Sequence, residues 1–242
     1  MQHDPIARDL YQEICKIPLI DPHSHINPHH PTAKNLDEIL GYHYYTELAH
    51  SAGMSQDPLQ SNVEPKERCR ALLRHLDRLD NTAQYSWFLE IAQTFLDFKK
   101  DHVGEADCDW LWEQAETKMA QHDWELQVLE KSNLEKVFLT NEFDDPLTGF
   151  DQERYVPCLR TDDLVFHLGT TKIQDRLKQA TDVDVDSVAE LRRALSKLFD
   201  HFVKNGARAC AISLPPDFEP MQPSGREFES SLEAFLNGKA SA

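Results

Sequence analysis

The stretch LIDPHSHINPHH, residues 19–30, sets four histidines within twelve residues, directly after a short apolar run. IPLID (17–21) reads as a strand, and side chains two apart on extended chain point the same way. His23 and His25 therefore project together from the strand's C-terminal end, about 6.6 Å apart by the rise per residue. Two imidazoles at that spacing can converge on one divalent ion at about 2.0–2.1 Å each. Active sites of α/β barrels sit at this end of their strands, and a metal there polarises a carbonyl or lowers the pKa of a bound water. The same HxH also arises in ordinary His-rich surface turns. His29 and His30, beside the prolines of NPHHP, read as loop histidines. Asp21 is either a plain strand-end carboxylate or the group that orients a ligand histidine.

Outward from this stretch, DPIARDLYQEIC (4–15) has helical spacing of apolar residues. From Asn35 to about Ser132 nearly everything reads as helix. NLDEILGYHYYTELAHSAGM stops near Gly53, and PKERCRALLRHLDRL sets Cys69, Leu72, Leu73 and Leu76 on one face. Then the texture changes. EKVFLTN (135–141), YVPCLR (155–160) and ARACAISL (207–214) are short, apolar and bounded by polar residues, as buried parallel strands are. A long helix over about 186–204 separates the last two, with Asp184 or Asp186 as N-cap and Gly206 just past its end. FESSLEAFLNGKASA offers one more short helix. The fold class is α/β with a parallel sheet or barrel, interrupted after the first strand by a helical insertion over residues 34–132. Four strands are legible, where a closed (β/α)8 barrel needs eight.

The composition, 40% hydrophobic and 28% charged, is that of a chain with a real core. A formal net charge of −17 argues against nucleic acid and membrane surfaces as partners. An anionic small substrate stays open, because an arginine or a metal inverts the field locally. The five cysteines are scattered without a CxxC pair, which points to free thiols in a reducing cytoplasm. MQHDPIARDLYQEI lacks the apolar core of a signal peptide, and no run approaches the roughly 18 apolar residues of a membrane span.

Six segments, in order, resemble the uronate (glucuronate) isomerase family of the amidohydrolase superfamily. LIDPHSHINPHH resembles its first-strand segment. NLDEILGYHYYTELAHSAGM resembles its helix with Asp-His-Tyr, and NTAQYSWFLEIAQTF its Trp/Glu/Phe helix. LEKSNLEKVFLTNEFDDP resembles the strand entering an acidic turn, VPCLRTDD the Arg-Pro-Asp strand end, and FDHFVKNGARACAISL the long helix and next strand. The resemblance implies a metal-dependent (β/α)8 TIM barrel, of which this chain is an N-terminal portion. The implied reaction is aldose–ketose isomerisation of a hexuronate, D-glucuronate to D-fructuronate. It implies a divalent metal, zinc, on His23 and His25, and substrate contacts by His43, Arg160 and Asp162, the last orienting Arg160. Arg160 suits a sugar-acid carboxylate through its planar guanidinium; a surface ion pair with Asp162 or Asp163 is the plainer alternative. His43 on an amphipathic helix is otherwise a packed or solvated histidine. Glu90 and Trp87 are assigned to packing and helix pairing.

The sequence departs from the family in several places. Tyr42 replaces the acid of Asp-His-Tyr, and the family's Ser-Asp-His aligns with Cys210, Ala211 and Ile212. The family's metal-binding aspartate lies on a last barrel strand beyond this chain. No proton-shuttling base is identified. Two alternatives follow: a metal-dependent hydrolase using a metal-bound hydroxide, and a non-catalytic, decayed paralogue. An incomplete barrel leaves open strand edges, so if this is the mature chain a homo-oligomer (a dimer) or poor solubility is expected.

Overall fold

The computed structural model describes residues 5–236. The elements, in chain order, begin with α1 (Pro5–Ile14) and β1 (Leu19–Asp21). Helices α2 (Leu36–Leu40), α3 (His43–Ser51), α4 (Pro65–Leu76), α5 (Ala83–Phe95), α6 (Cys108–Met119) and α7 (Trp124–Lys131) follow. The chain continues through β2 (Leu134–Phe138), β3 (Tyr155–Val156), β4 (Cys158–Arg160), α8 (Asp162–Phe166), α9 (Thr171–Thr181), α10 (Val188–Lys204), β5 (Ala209–Ala211) and α11 (Gly225–Leu236). Two compact units result. One comprises residues 30–133; the other joins the residues up to His29 to those from Leu134 onward. The expected Asp4 helix start and the tail beyond Leu236 lie outside the described residues.

The helical unit is organised by α4. Its Cys69, Leu72, Leu73 and Leu76 form the expected apolar stripe and are all essentially inaccessible, each leucine contributing about 1.5–3 kcal/mol of burial. They pack into one cluster with Leu36, Leu40, Ala49, Phe88, Ala92, Leu111 and Ala115. The stretch expected as a single helix up to Gly53 is two, α2 and α3. Asn35 caps α2 by accepting from the Glu38 amide at 2.9 Å. The helix then breaks at Gly41, where a Cβ would sit 2.6 Å from the Asp37 carbonyl oxygen. A second correction concerns Trp87 and Glu90. Both are exposed, Trp87 by 51%, because the inward face of α5 is formed by Tyr85, Phe88 and Ala92.

In the other unit all strand pairs are parallel, in the orders β1-β2-β3 and β4-β5. Val137 and Leu139 alternate inward from β2 to meet Tyr155 and Phe150, so Lys136, Phe138 and Thr140 occupy the opposite side. A bulge at Glu135 sets the register: Leu19 pairs with Leu134, but Ile20 pairs with Lys136. The segment expected as one strand over 155–160 is two, because Pro157 has no N–H to offer a ladder.

Asn141 joins the sheets across that gap. Its N–H donates to the Cys158 carbonyl at 2.9 Å, and its carbonyl accepts from the Arg160 N–H at 2.9 Å. Its side-chain oxygen accepts from the Cys158 N–H at 3.2 Å, and its amide nitrogen donates to Asp145 at 3.1 Å. The residue is buried, and all its polar groups are used.

Two strands are less buried than expected. Leu19 and Ile20 of β1 are 51% and 54% exposed, and Ala209 and Cys210 of β5 are exposed, since β1 and β5 have a single neighbour each among the described residues. The long helix caps on Ser187, which accepts from the Glu190 N–H at 3.3 Å, rather than on Asp184 or Asp186; Asp184 pairs instead with Lys178 at 2.5 Å. Helix α10 ends, as expected, just before Gly206, whose φ of +88° suits glycine. Among the described residues no helix is long and apolar enough to cross a membrane.

The acidic turn after β2 is held by Arg176 of α9. Its guanidinium donates to Asp144 at 2.5 and 2.7 Å, to Asp163 at 2.7 Å and to Glu142 at 3.1 Å, and lies 4.7 Å from the Phe143 ring centroid. The Arg176 hydrogen bonds hold the Asp144 carboxyl below its usual range.

Two outcomes follow. Asn141→Leu leaves the Cys158 N–H buried without an acceptor and should destabilise the chain by about 2–3 kcal/mol, read from the urea midpoint by circular dichroism; an unchanged midpoint would contradict the role given to the amide. Arg176→Ala should cost about 1–2 kcal/mol at neutral pH. A depressed carboxylate pKa stabilises above the ordinary value and loses that contribution as pH falls through the folded one. The gap between wild type and Arg176→Ala should therefore be full above about pH 4 and close below it.

Candidate metal and substrate site

The residues after β1 turn back onto β2. The Ser24 N–H donates to the Phe138 carbonyl at 2.8 Å, and Asp21 accepts from the His23 backbone N–H at 3.1 Å. Asp21 thus shapes the turn that presents His23 and touches its backbone, not its ring.

The Nε2 atoms of His23 and His25 face each other at 3.2 Å, with the rings almost perpendicular at 87°. Two nitrogens each 2.0–2.1 Å from a tetrahedral ion are separated by about 3.3–3.4 Å, so the pair fits two corners of one coordination shell. Thr140, just beyond β2, fixes the tautomer. Its hydroxyl donates its single proton to the Ser24 carbonyl at 3.0 Å and meets His25 Nδ1 at 2.9 Å. The hydroxyl oxygen must then accept from Nδ1–H, which leaves the lone pair of His25 on Nε2, the atom aimed at His23. No group of three or more His, Cys, Asp or Glu side chains with metal-binding geometry occurs among the described residues. The pair by itself offers two nitrogen donors.

These histidines share a cavity of about 370 Å³ with Arg160, Asp162 and Ser213. Arg160 closes β4, and its Nε is 3.4 Å from Asp162 while its Nη1 is 3.7 Å from Glu142. Both separations exceed the 2.7–2.9 Å of a tight charge-assisted bond, so the guanidinium is steered but not saturated. Asp162 begins α8 and accepts from the Ser213 N–H at 3.3 Å. Burial raises the Asp162 pKa, but the bonds from Ser213 and Arg160 outweigh it, and the carboxyl lies below its usual range. The pairing expected of Arg160 with Asp162 is present; Asp163 pairs with Arg176 instead.

Cys158, Cys210, Ala211 and Ile212 line the same cavity. Burial pushes both thiols up, so they favour the protonated form and are poor nucleophiles. His43 lies in the helical unit at the start of α3, exposed between Tyr42 and Tyr44 with ring centroids 4.3 Å away on either side. His29 rests edge-on to Phe150 at 5.7 Å, as a loop histidine does.

Sequence reading brought four of the five candidates to one cavity, His23, His25, Arg160 and Asp162, but missed Thr140 and Ser213. Thr140 carried one weak signal, its position two residues beyond Phe138 on the side of β2 away from the core. Ser213 carried none.

A family model described as glucuronate isomerase matches residues 1–240. A uronate isomerase from Streptococcus pneumoniae is 24% identical, the match covering 88% of this chain and 49% of that protein. One from Clostridium acetobutylicum is 23% identical over 97% of this chain and 53% of its own length. The chain therefore spans about half the length of the curated relatives it matches. Among solved structures, the glucuronate isomerase of Caulobacter crescentus superposes with a TM-score of 0.82 at 17% identity, covering 98% of this chain and 54% of that one. The uronate isomerase of Thermotoga maritima gives 0.80 at 20% identity, covering 99% and 56%. The likeness extends through both units, and the family match runs almost the length of the chain: it belongs to the glucuronate isomerase family.

Proposed function

We propose that this chain supplies the metal-binding and carboxylate-binding part of a hexuronate isomerase that interconverts D-glucuronate and D-fructuronate. The observation that carries the reading is the 3.2 Å approach of two imidazole nitrogens, with Thr140 holding the His25 tautomer. His23 and His25 would hold a divalent ion, zinc, which supplies Lewis-acid stabilisation of negative charge on a carbonyl oxygen.

Arg160 would take the substrate carboxylate. The guanidinium has donors left over after its loose contacts with Asp162 and Glu142, and bidentate pairing with a carboxylate replaces those contacts with shorter ones. Asp162, tethered by Ser213, orients Arg160 from behind. His43 is proposed as a further substrate contact on the ground of the family pattern alone. The proton that moves between adjacent carbons needs a base, and the apolar Ala211 and Ile212 on the cavity wall cannot serve.

The architecture proposed is the first part of a (β/α)8 barrel, a single domain with residues 34–132 inserted after its first strand. The uniformly parallel pairing of β1 to β5 supports it. Five free thiols support a reducing cytoplasm as the compartment.

Elemental analysis of the purified chain tests the metal site. About one equivalent of zinc or another divalent ion should be present, lost in His23→Ala/His25→Ala and bound about 10–100-fold more weakly in Thr140→Val, which removes the His25 partner. Equal metal content in all three proteins overturns the assignment. In a D-glucuronate isomerase assay, Arg160→Lys should raise KM about tenfold with a smaller change in kcat, because a point charge replaces the planar fork. An unchanged KM removes Arg160 from the carboxylate site.

A further inference from the structure

A further cavity in the sheet-bearing unit lies at the opposite end of the strands from the histidines. About 630 Å³ in volume, it is walled by Lys136 of β2, Arg154 just before β3, and Lys204 and Arg208 from the connection between α10 and β5, with Phe138 and Val156 as apolar floor. This size falls within the range of small-molecule sites, about 300–1,000 Å³. Lys136 and Phe138 are two apart on β2 and share the side away from the Val137 core.

The chain has 42 Asp and Glu against 25 Lys and Arg, so a cation here normally finds a carboxylate. Among the described residues none of these four forms an ion pair. Three carboxylates also line the cavity, Glu135, Asp151 and Glu153. Asp151 is committed to its own turn, accepting from the Glu153 N–H at 3.0 Å and the Arg154 N–H at 3.3 Å. Glu135 and Glu153 are exposed. Lys204 also complements the C-terminal end of the α10 dipole, but Lys136, Arg154 and Arg208 lie in no helix and have no such explanation. Unpaired cations around one cavity repel each other, and an anion among them relieves that repulsion.

We propose that this cavity binds a compact oxyanion of two or more charges, a phosphate-type group or a dicarboxylate. Arg154 and Arg208 offer planar forks matched to paired oxygens, and Lys136 and Lys204 add point charges. The site is separate from the histidine cavity and does not depend on the isomerase reading.

Calorimetric titration of the full chain with inorganic pyrophosphate at low salt tests it. The titration is run in the His23→Ala/His25→Ala background, so that chelation at the histidine pair contributes nothing. One site with a dissociation constant below about 1 mM is expected, weakened about tenfold or more in Lys204→Gln/Arg208→Gln. Lys172→Gln/Arg192→Gln, which removes the same charge outside the cavity, should leave it unchanged. A parallel titration with succinate distinguishes the two sources: comparable affinity assigns the site to dianions in general, and tighter pyrophosphate assigns it to phosphates. Binding weaker than about 10 mM for both anions, or equal weakening in the two double variants, overturns the proposal.

Discussion

A single buried amide joins the two parallel sheets. Pro157 interrupts the run from Tyr155 to Arg160, and an interruption in a parallel sheet leaves backbone groups without partners. Asn141 answers it with main-chain and side-chain atoms at once, meeting both polar groups of Cys158 and the amide of Arg160. The position of Arg160 follows directly, because its own N–H is one of the groups Asn141 binds. Asn141 also reaches Asp145 in the acidic turn, and the neighbouring Asp144 is gripped by Arg176. The same few residues therefore set the strand end and the loop above it.

The histidine cavity and the cation-lined cavity differ in how their polar groups are treated. At the histidine end nearly every group has a defined partner: Thr140 for His25, Ser213 for Asp162, and Asp162 with Glu142 for Arg160. Such mutual restraint orients groups for a ligand whose geometry is demanding. At the other end four cations stand beside three carboxylates with no ion pair formed by any of the four among the described residues, an arrangement that attracts charge but imposes little shape. Sheet polarity explains why the two ends can diverge, since the loops at each end come from different connections.

What could be read in the sequence was what depends on local periodicity. His23 and His25 were legible as a pair from their spacing, although they meet in the turn after β1 rather than on the strand, and Cys69, Leu72, Leu73 and Leu76 share a stripe because a helix has 3.6 residues per turn. Family resemblance added Arg160 and Asp162, which the structure brings to the same cavity as the histidines. Contacts across long separations were not legible. The bond from His25 to Thr140 spans 115 residues, and that from Ser213 to Asp162 spans 51. Local competition explains other differences. Ser187 caps α10 while Asp184 is drawn to Lys178, and Trp87 faces outward because the rotation of α5 is decided by Phe88 and Ala92.

The bulge at Glu135 has a consequence for every polar side chain on β2. Alternation along a strand has a phase as well as a period, and the extra residue between Leu134 and Lys136 resets that phase relative to β1. From the same Leu19–Leu134 start, an even ladder would set Lys136 rather than Val137 opposite Asp21. Relative to β1, lysine, phenylalanine and threonine would then exchange sides with valine and leucine. Thr140 would turn from His25, and Lys136 would leave its cavity for the apolar side. The two cavities, at opposite ends of the strand and with unrelated chemistry, are thus indexed by one uncounted residue that belongs to neither as a ligand.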